Sequence, residues 1–193
     1  MNAPTMSARP DSPARVYACL ASRRIGALPE PIRALLLTKN DVRMIGSMDV
    51  RHGRHWLARA CARLVRLPRE GRHERVRLSV VRRGRYEMWQ RSFADRSINT
   101  RQYLSGSLLA ERAGPLELLF EVDIDSDAIL FTSRGARLRL FNLAIRLPKA
   151  IAPVVRAQMT SPSPPEVQTV VRVAMPVAGE ILMYSGTMRK VSE

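Results

Sequence analysis

Apolar and polar residues alternate along most of the chain after Glu74, which is the pattern of half-buried β-strands. In the first such segment Val76, Leu78 and Val80 alternate with polar neighbours, and later segments are separated by turn signals such as Gly84 and Gly135. Because the connections are short, consecutive strands favour an antiparallel meander. We predict about seven strands, drawn from eight candidate segments: 74–80, 85–93, 102–112, 116–124, 128–133, 137–141, 167–175 and 180–188.

The first third of the chain has helical spacing instead, with apolar residues three and four positions apart. Residues 14–26 and 31–37 predict two short helices, and residues 54–67 predict a clearer one. The segment 44–53 is mixed and contains two glycines. A further short helix is predicted over residues 147–156, before the last two strands.

These patterns predict an α+β fold that is mainly β. The sheet is expected to be a curved antiparallel meander, half-barrel or barrel-like, which one of the helices is able to plug. Residues 1–13 hold three prolines and few apolar residues, so we expect a disordered tail ahead of a single β-rich domain at residues 14–193.

Positive charge is concentrated in the first part of the chain. The net charge is +15; residues 1–110 hold 22 Lys and Arg against 8 Asp and Glu, whereas residues 111–193 hold 10 against 9. This asymmetry predicts an anionic partner, such as an acidic protein, nucleic acid or an anionic membrane surface. A solvated basic face without a dedicated partner would have the same composition.

Nucleic acid is the weaker alternative among these partners. Aromatic residues, on which bases stack, make up only 5% of the chain, and Trp56 and Trp89 lie at or near positions that the pattern predicts to be buried. No membrane-spanning run of apolar residues and no apolar segment of a secretory signal is visible, which favours a cytoplasmic location.

The chain lacks the short motifs of common enzymes, including dinucleotide-binding and phosphate-binding loops, the nucleophile elbow and zinc-protease signatures. Two cysteines, Cys19 and Cys61, have neither metal-site nor disulfide-framework spacing. His52 and His55 lie three positions apart but lack further ligands, so we interpret them as surface residues. We therefore predict no metal, no cofactor and no catalytic residue, and favour a non-enzymatic role.

One strand face stands out as a candidate site. Alternation places Glu87, Trp89, Arg91 and Phe93 together, and we expect Tyr103 and Glu111 to share a face on the next strand. An inward Arg91 needs a partner, for which Glu111 is the natural candidate. The pair is either a structural salt bridge in the core or a polar anchor for a ligand beside an aromatic wall. The candidate ligand-binding residues are Trp89, Arg91, Phe93, Tyr103 and Glu111.

An ordered set of short motifs resembles the bacterial domain-of-unknown-function family 4166, over residues 27–189. The set comprises Leu28-Pro29, the segment 46–53, Leu67-Pro68, the W-x-R-x-F run at 89–93, Ser105, the segment 111–115, Leu147-Pro148, Ala152-Pro153, the segment 176–179 and Tyr184-Ser185-Gly186. One departure is the run 35–37, where three leucines replace the polar helix end, with a histidine, that we expect in the family.

The resemblance implies an uncharacterised domain, found alone or appended to saccharopine-dehydrogenase-like NAD-binding proteins. It implies an accessory or ligand-binding role, beside a separate oxidoreductase, and supplies no catalytic residues. Two functions therefore stay open: a module that binds a small or lipid-like ligand, and a basic module that docks on an acidic partner such as an oxidoreductase domain.

Overall fold

A computed structural model describes residues 15–20, 24–64, 67–94, 96–141 and 143–191. The predicted N-terminal tail lies outside these residues. The helices are α1 (Arg15–Leu20), a 3-10 turn (Ile25–Ala27), α2 (Glu30–Leu36) and α3 (Trp56–Leu64). The strands are β1 (Val42–His52), β2 (Gly71–Arg83), β3 (Tyr86–Ser92), β4 (Ser97–Ser105), β5 (Leu108–Ala113), β6 (Leu116–Asp125), β7 (Ala128–Leu140), β8 (Leu143–Arg146), β9 (Val154–Thr160), β10 (Glu166–Met175) and β11 (Gly179–Lys190).

The strands form one antiparallel sheet that closes on itself as a barrel. The 11-stranded sheet has the order β6-β5-β4-β3-β2-β1-β11-β10-β9-β7-β8, and an additional pairing joins β6 to β7. That pairing completes a ring of ten strands, with β8 attached to β7 outside the ring. The mainly β, antiparallel prediction is confirmed, but the strand number of about seven was too low and the sheet is a closed barrel.

The number was too low because β1, β8 and β9 were not predicted and one predicted strand is in fact the two strands β4 and β5. The mixed segment 44–53 belongs to β1, whose register on β2 shifts between Met48 and Val50. The predicted strand 102–112 is a hairpin that turns at Gly106, which has a φ of 65°. The first predicted hairpin turn also lies later than expected, because Arg82 is still within β2.

Two other predictions around β7 were wrong. The turn predicted at Gly135 is absent, because β7 continues through it with an irregular register opposite Leu119 and Phe120. The helix predicted before the last two strands is a single turn, in which the N–H groups of Ile151 and Ala152 donate to the Pro148 carbonyl. The chain then enters β9, whose buried Val155 and Met159 follow strand alternation in part.

Two glycines, Gly46 and Gly186, allow strands β1 and β11 to approach each other closely. Along β1 and β11, an added Cβ at Gly46 would lie 1.9 Å from the Thr187 carbonyl oxygen, and one at Gly186 would lie 2.0 Å from that of Ser47. Any larger residue would therefore separate these strands. This tight contact helps the long strands to coil around a single apolar interior.

The helices cover and fill that interior. Helix α1 inserts Tyr17, whose ring contacts Trp89 of β3 and Phe131 of β7, so this side chain reaches across the inside of the barrel. Helix α2 buries Ile32 and Leu35, and helix α3 packs mainly on β11. The expectation that a helix plugs the barrel agrees with this position of Tyr17.

The described side chains of helix α3 are buried on one face of the helix. Among them Ala58 and Ala62 are buried and Leu57 is partly buried, whereas Ala60 is exposed. Trp56, which we expected at or near a buried position, is 70% exposed at the start of the helix and stacks on His55.

Candidate functional site

The candidate site lies on the inward face of strands β3, β4 and β5. Trp89 pairs with Val80 and Thr100 across the neighbouring strands, and both partners are buried. Arg91 follows two positions later on the same face, opposite the buried Leu78. Residues directly opposite each other in an antiparallel pair point to the same side. The predicted stripe therefore faces the core of the barrel.

Arg91 is the polar centre of this stripe. Its Nη1 lies 3.2 Å from Glu111 Oε1 and also donates to Thr100 Oγ1 at 3.2 Å. The predicted ion pair is thus confirmed, but Glu111 lies on β5, one strand farther away than expected. The two side chains are 16% and 17% exposed, so the pair is accessible to solvent although it lies on the inward face.

Aromatic rings surround the ion pair. The Arg91 guanidinium lies 5.3 Å from the centre of the Trp89 ring, a cation–π distance. Phe93 meets Tyr184 of β11 edge to face, with ring centres 5.9 Å apart. Tyr17 completes the group and donates its hydroxyl to Gln102. The charged Arg91–Glu111 pair and the aromatic rings around it are thus brought together from helix α1 and strands β3, β5 and β11.

Electrostatics link these groups. Burial lowers the pKa of Arg91, but Glu111, followed by Tyr184 and other neighbours, more than offsets this and raises it. Burial, aided by Glu111, raises the pKa of Tyr184 above its ordinary value. Burial followed by Glu87 and Glu111 raises the pKa of Tyr17 strongly. At neutral pH the site therefore holds the Arg91 cation and two neutral phenols, of which Tyr17 donates to Gln102.

A second ion pair next to the site is closed to solvent. Arg82 Nε lies 3.3 Å from Glu87 Oε1, without the alignment of a hydrogen bond, and the two side chains are 1% and 0% exposed. Arg82 also donates to the carbonyl of Leu35 in helix α2 and to that of Asn40, which lies after the helix. Glu87 accepts from Trp89 Nε1 at 3.0 Å. This pair fastens α2 and the Trp89 ring, and we assign it a structural role.

Tyr103 does not join the other predicted site residues. The turn at Gly106 reverses the parity of the odd and even positions, so Gln102, not Tyr103, pairs with Glu111. Tyr103 points outward and donates its hydroxyl to Glu117, a carboxylate that is 0% exposed. Arg137 and Arg139 also contact Glu117, and Arg137 Nη1 lies 3.4 Å from Glu117 Oε1. The prediction that Tyr103 and Glu111 share a face was therefore wrong.

The barrel brings four further residues to the site that were not predicted: Thr100, Gln102, Tyr17 and Tyr184. A signal existed for Tyr184, because strand alternation places it with Leu182 and Met188 on the apolar side of β11. No local pattern could show that the α1 helix enters the barrel.

The outer surface carries a separate basic groove. Its volume is about 410 Å³, and it crosses β2, β1 and β11. Arg77 and Arg189 both lie opposite Ile45 in the register, and Arg75 lies opposite Ser47. Glu166 is the acidic residue among those that line it. Two arginines from the basic first part of the chain, Arg75 and Arg77, therefore lie together on the outside of the barrel.

Histidines and helices give no further site. His52 donates from Nε2 to the Pro68 carbonyl over 2.8 Å, and within the described ranges no group of three or more metal-ligating side chains surrounds a possible ion. Among the helices described above, none is long and apolar enough to cross a membrane.

Comparison with known proteins places the chain among uncharacterised domains. The model of the family described as "Domain of unknown function (DUF4166)" matches residues 28–188. No curated protein matches the chain. Among solved structures, a protein of unknown function from the DUF3598 family of Nostoc punctiforme PCC 73102 is similar, with 13% sequence identity and a TM-score of 0.47. The match covers 78% of this chain and 47% of that protein, so the chain spans about half the length of this neighbour.

Proposed function

The chain belongs to the DUF4166 family, and we propose that it is a non-enzymatic module that binds a small, lipid-like ligand inside its barrel. The observation that carries this proposal is the partly exposed Arg91–Glu111 pair on an inward face that consists mainly of apolar side chains. A purely structural pair would be expected to resemble Arg82–Glu87, which is almost completely buried. Arg91 and Glu111 instead keep surface that a ligand can contact.

Arg91 supplies the polar end of the proposed site. Among the described residues, both of its hydrogen bonds leave from Nη1. The remaining guanidinium N–H groups can therefore donate to a carboxylate, phosphate or carbonyl head group. Trp89, Phe93 and Tyr184 supply flat apolar surfaces for the rest of the ligand, as in ligand pockets where few polar groups fix the orientation. Tyr103, which faces outward, is no longer part of the proposal.

The experiment that tests this proposal is competition between an aromatic fluorescent probe, anilinonaphthalene sulfonate, and two molecules of equal chain length, decanoic acid and decanol. We expect the acid to displace the probe better than the alcohol. Arg91→Met should lower the affinity for decanoic acid at least about tenfold, because a charge-assisted bond is lost, and should leave the affinity for decanol nearly unchanged. Glu111→Gln should raise the affinity for decanoic acid, because a competing negative charge is removed.

Arg101→Met is the matched control, because this exposed arginine of β4 stacks on Tyr86 outside the barrel at 4.2 Å. It should behave as the unmodified protein. Equal displacement by acid and alcohol, or an Arg91→Met variant with unchanged preference, would contradict an Arg91 anchor.

A second function is favoured by the basic outer groove: docking on an acidic protein, such as a separate oxidoreductase domain. Three arginines, Arg75, Arg77 and Arg189, line it against one carboxylate. Exposed charges of this kind act at low ionic strength and are screened by salt. We expect immobilised polyglutamate to retain the protein at low salt and Arg75→Glu with Arg77→Glu to abolish retention. The control reverses Arg156 and Arg172, which are adjacent on β9 and β10; equal loss in the control would exclude a specific groove.

A further inference from the structure

The hairpin of β7 and β8 exposes an apolar face. Leu138 pairs with Ile145 and Leu140 pairs with Leu143, so these four side chains lie on the same side of the hairpin. Leu140, Leu143 and Ile145 are 44%, 67% and 51% exposed, and Phe141, in the turn, is fully exposed at 102%. Large apolar residues that cluster at one exposed point usually mark an interaction surface.

This apolar face continues the lining of the barrel. Leu138 pairs with Leu116 of β6 inside the sheet, and the preceding inward residue, Ala136, is buried. Beyond Thr132, the pairing of β7 with β9 has ended and β8 takes its place from Arg137 onward. The hairpin therefore projects from the ten-stranded ring, and its apolar side is continuous with the inward face of the sheet.

The opposite side and the base of the hairpin are basic. Arg137 of β7 pairs with Arg146 of β8, and Arg139 lies two positions after Arg137 on the same face of β7. Arg137 and Arg139 contact Glu117, whereas Arg146 and Lys149 are exposed. The hairpin is thus an amphipathic ribbon with cations beside its apolar face. It lies in the half of the chain whose overall charge is nearly balanced, away from the basic groove.

We propose that this hairpin inserts its apolar face and Phe141 into the surface of an anionic lipid membrane. The exposed apolar side chains of positions 140, 141, 143 and 145 offer roughly 400–500 Å², taking about 150–200 Å² for a large side chain. A stable dimer needs about 800 Å² from each partner, so a second copy fits this patch less well. A bilayer accepts a small apolar tip, and anionic head groups complement Arg146 and Lys149.

The test is flotation of the purified protein with vesicles of phosphatidylcholine alone or of equal parts phosphatidylcholine and phosphatidylglycerol. We expect binding to the anionic vesicles and at least about tenfold weaker binding by Phe141→Ser with Leu143→Ser. Arg146→Glu with Lys149→Glu should lose binding by a similar factor, because it reverses the attraction to head groups. The control, Trp56→Ser with Val177→Ser, removes two exposed apolar residues elsewhere and should bind normally.

Each substitution is at an exposed position, and near-ultraviolet circular dichroism checks that every variant keeps its fold. The proposal is overturned if the unmodified protein floats with neither vesicle, or if the control loses as much binding as the hairpin variants. It is also overturned if light scattering without lipid shows a dimer that Phe141→Ser with Leu143→Ser dissociates, because the hairpin then binds a second copy. Arg91→Met should leave flotation unchanged, so this test is independent of the ligand site.

Discussion

The buried pair of Arg82 and Glu87 provides the sharpest stability prediction. Replacing Arg82 by Met leaves a carboxylate with no solvent exposure next to an apolar side chain, and it removes the donors to the Leu35 and Asn40 carbonyls. Breaking a buried pair from one side lowers the free energy of unfolding by about 3–5 kcal/mol. We expect a loss of that size near neutral pH, in urea unfolding followed by the fluorescence of the buried Trp89.

The pH dependence of this loss identifies the unpaired carboxylate as its cause. Burial raises the pKa of Glu87, and Arg82 opposes the rise. Without Arg82 the folded-state pKa rises further, so the carboxyl takes up a proton more readily in the folded state than in the unfolded chain. Stability is then highest below the unfolded pKa and falls as pH increases through the folded pKa. The Arg82→Met penalty should therefore be smaller at about pH 5 than at about pH 8.

The matched variants are Glu87→Gln and the double variant Arg82→Met with Glu87→Gln. The double variant leaves no buried charge at this position, so it should be less destabilised at about pH 8 than the sum of the two single variants. Strict additivity would refute the reasoning. A loss below about 1 kcal/mol for Arg82→Met, or a loss equal at both pH values, would refute it as well.

Three further substitutions test separate parts of the structure by the same unfolding measurement. Tyr17→Phe removes the hydroxyl that donates to Gln102 and should lower the free energy of unfolding by about 1–2 kcal/mol. An unchanged unfolding midpoint would show that this hydrogen bond does not form. Gly186→Ala places a Cβ against the Ser47 carbonyl and should cost at least about 3 kcal/mol; the same change at Gly26, where no atom lies within 4 Å, should cost little. Tyr103, Arg139 and Arg137 lower the pKa of Glu117 against the effect of burial, so Glu117→Gln should destabilise at neutral pH and progressively less as pH falls through the lowered folded pKa; a pH-independent effect would contradict this.

Much of the barrel could be predicted because alternation is local. The strands β2, β3 and β10 bury every second residue over much of their length, and period-two patterning reports this directly. The turn at Gly106 escaped prediction although a glycine with positive φ is a local turn signal. Two other features depend on distant contacts: the uninterrupted course of β7 through Gly135, and the conversion of the predicted helix before Val154 into a turn and a strand. In both cases pairing with another strand overrides the local preference.

The candidate site was partly predictable for the same reason. Trp89 and Arg91 belong to one strand and Phe93 directly follows it, so alternation was sufficient to group the three side chains. The partnership of Arg91 with Glu111 followed from the need to neutralise an inward cation. Tyr103 was misplaced because a single turn exchanges the faces of all the positions after it. Tyr184 reaches the site only through closure of the barrel.

The measurement that tests the central claim most directly is mass spectrometry of an organic extract from freshly purified, denatured protein, compared with the extract from Arg91→Met. Ligand binding in the barrel predicts a near-stoichiometric small molecule with an acidic or hydrogen-bond-accepting head group, present with the unmodified protein and with Arg101→Met and strongly reduced with Arg91→Met. Empty extracts from all three proteins, together with no displacement by decanoic acid, would contradict the claim and leave the Arg91–Glu111 pair as a structural contact.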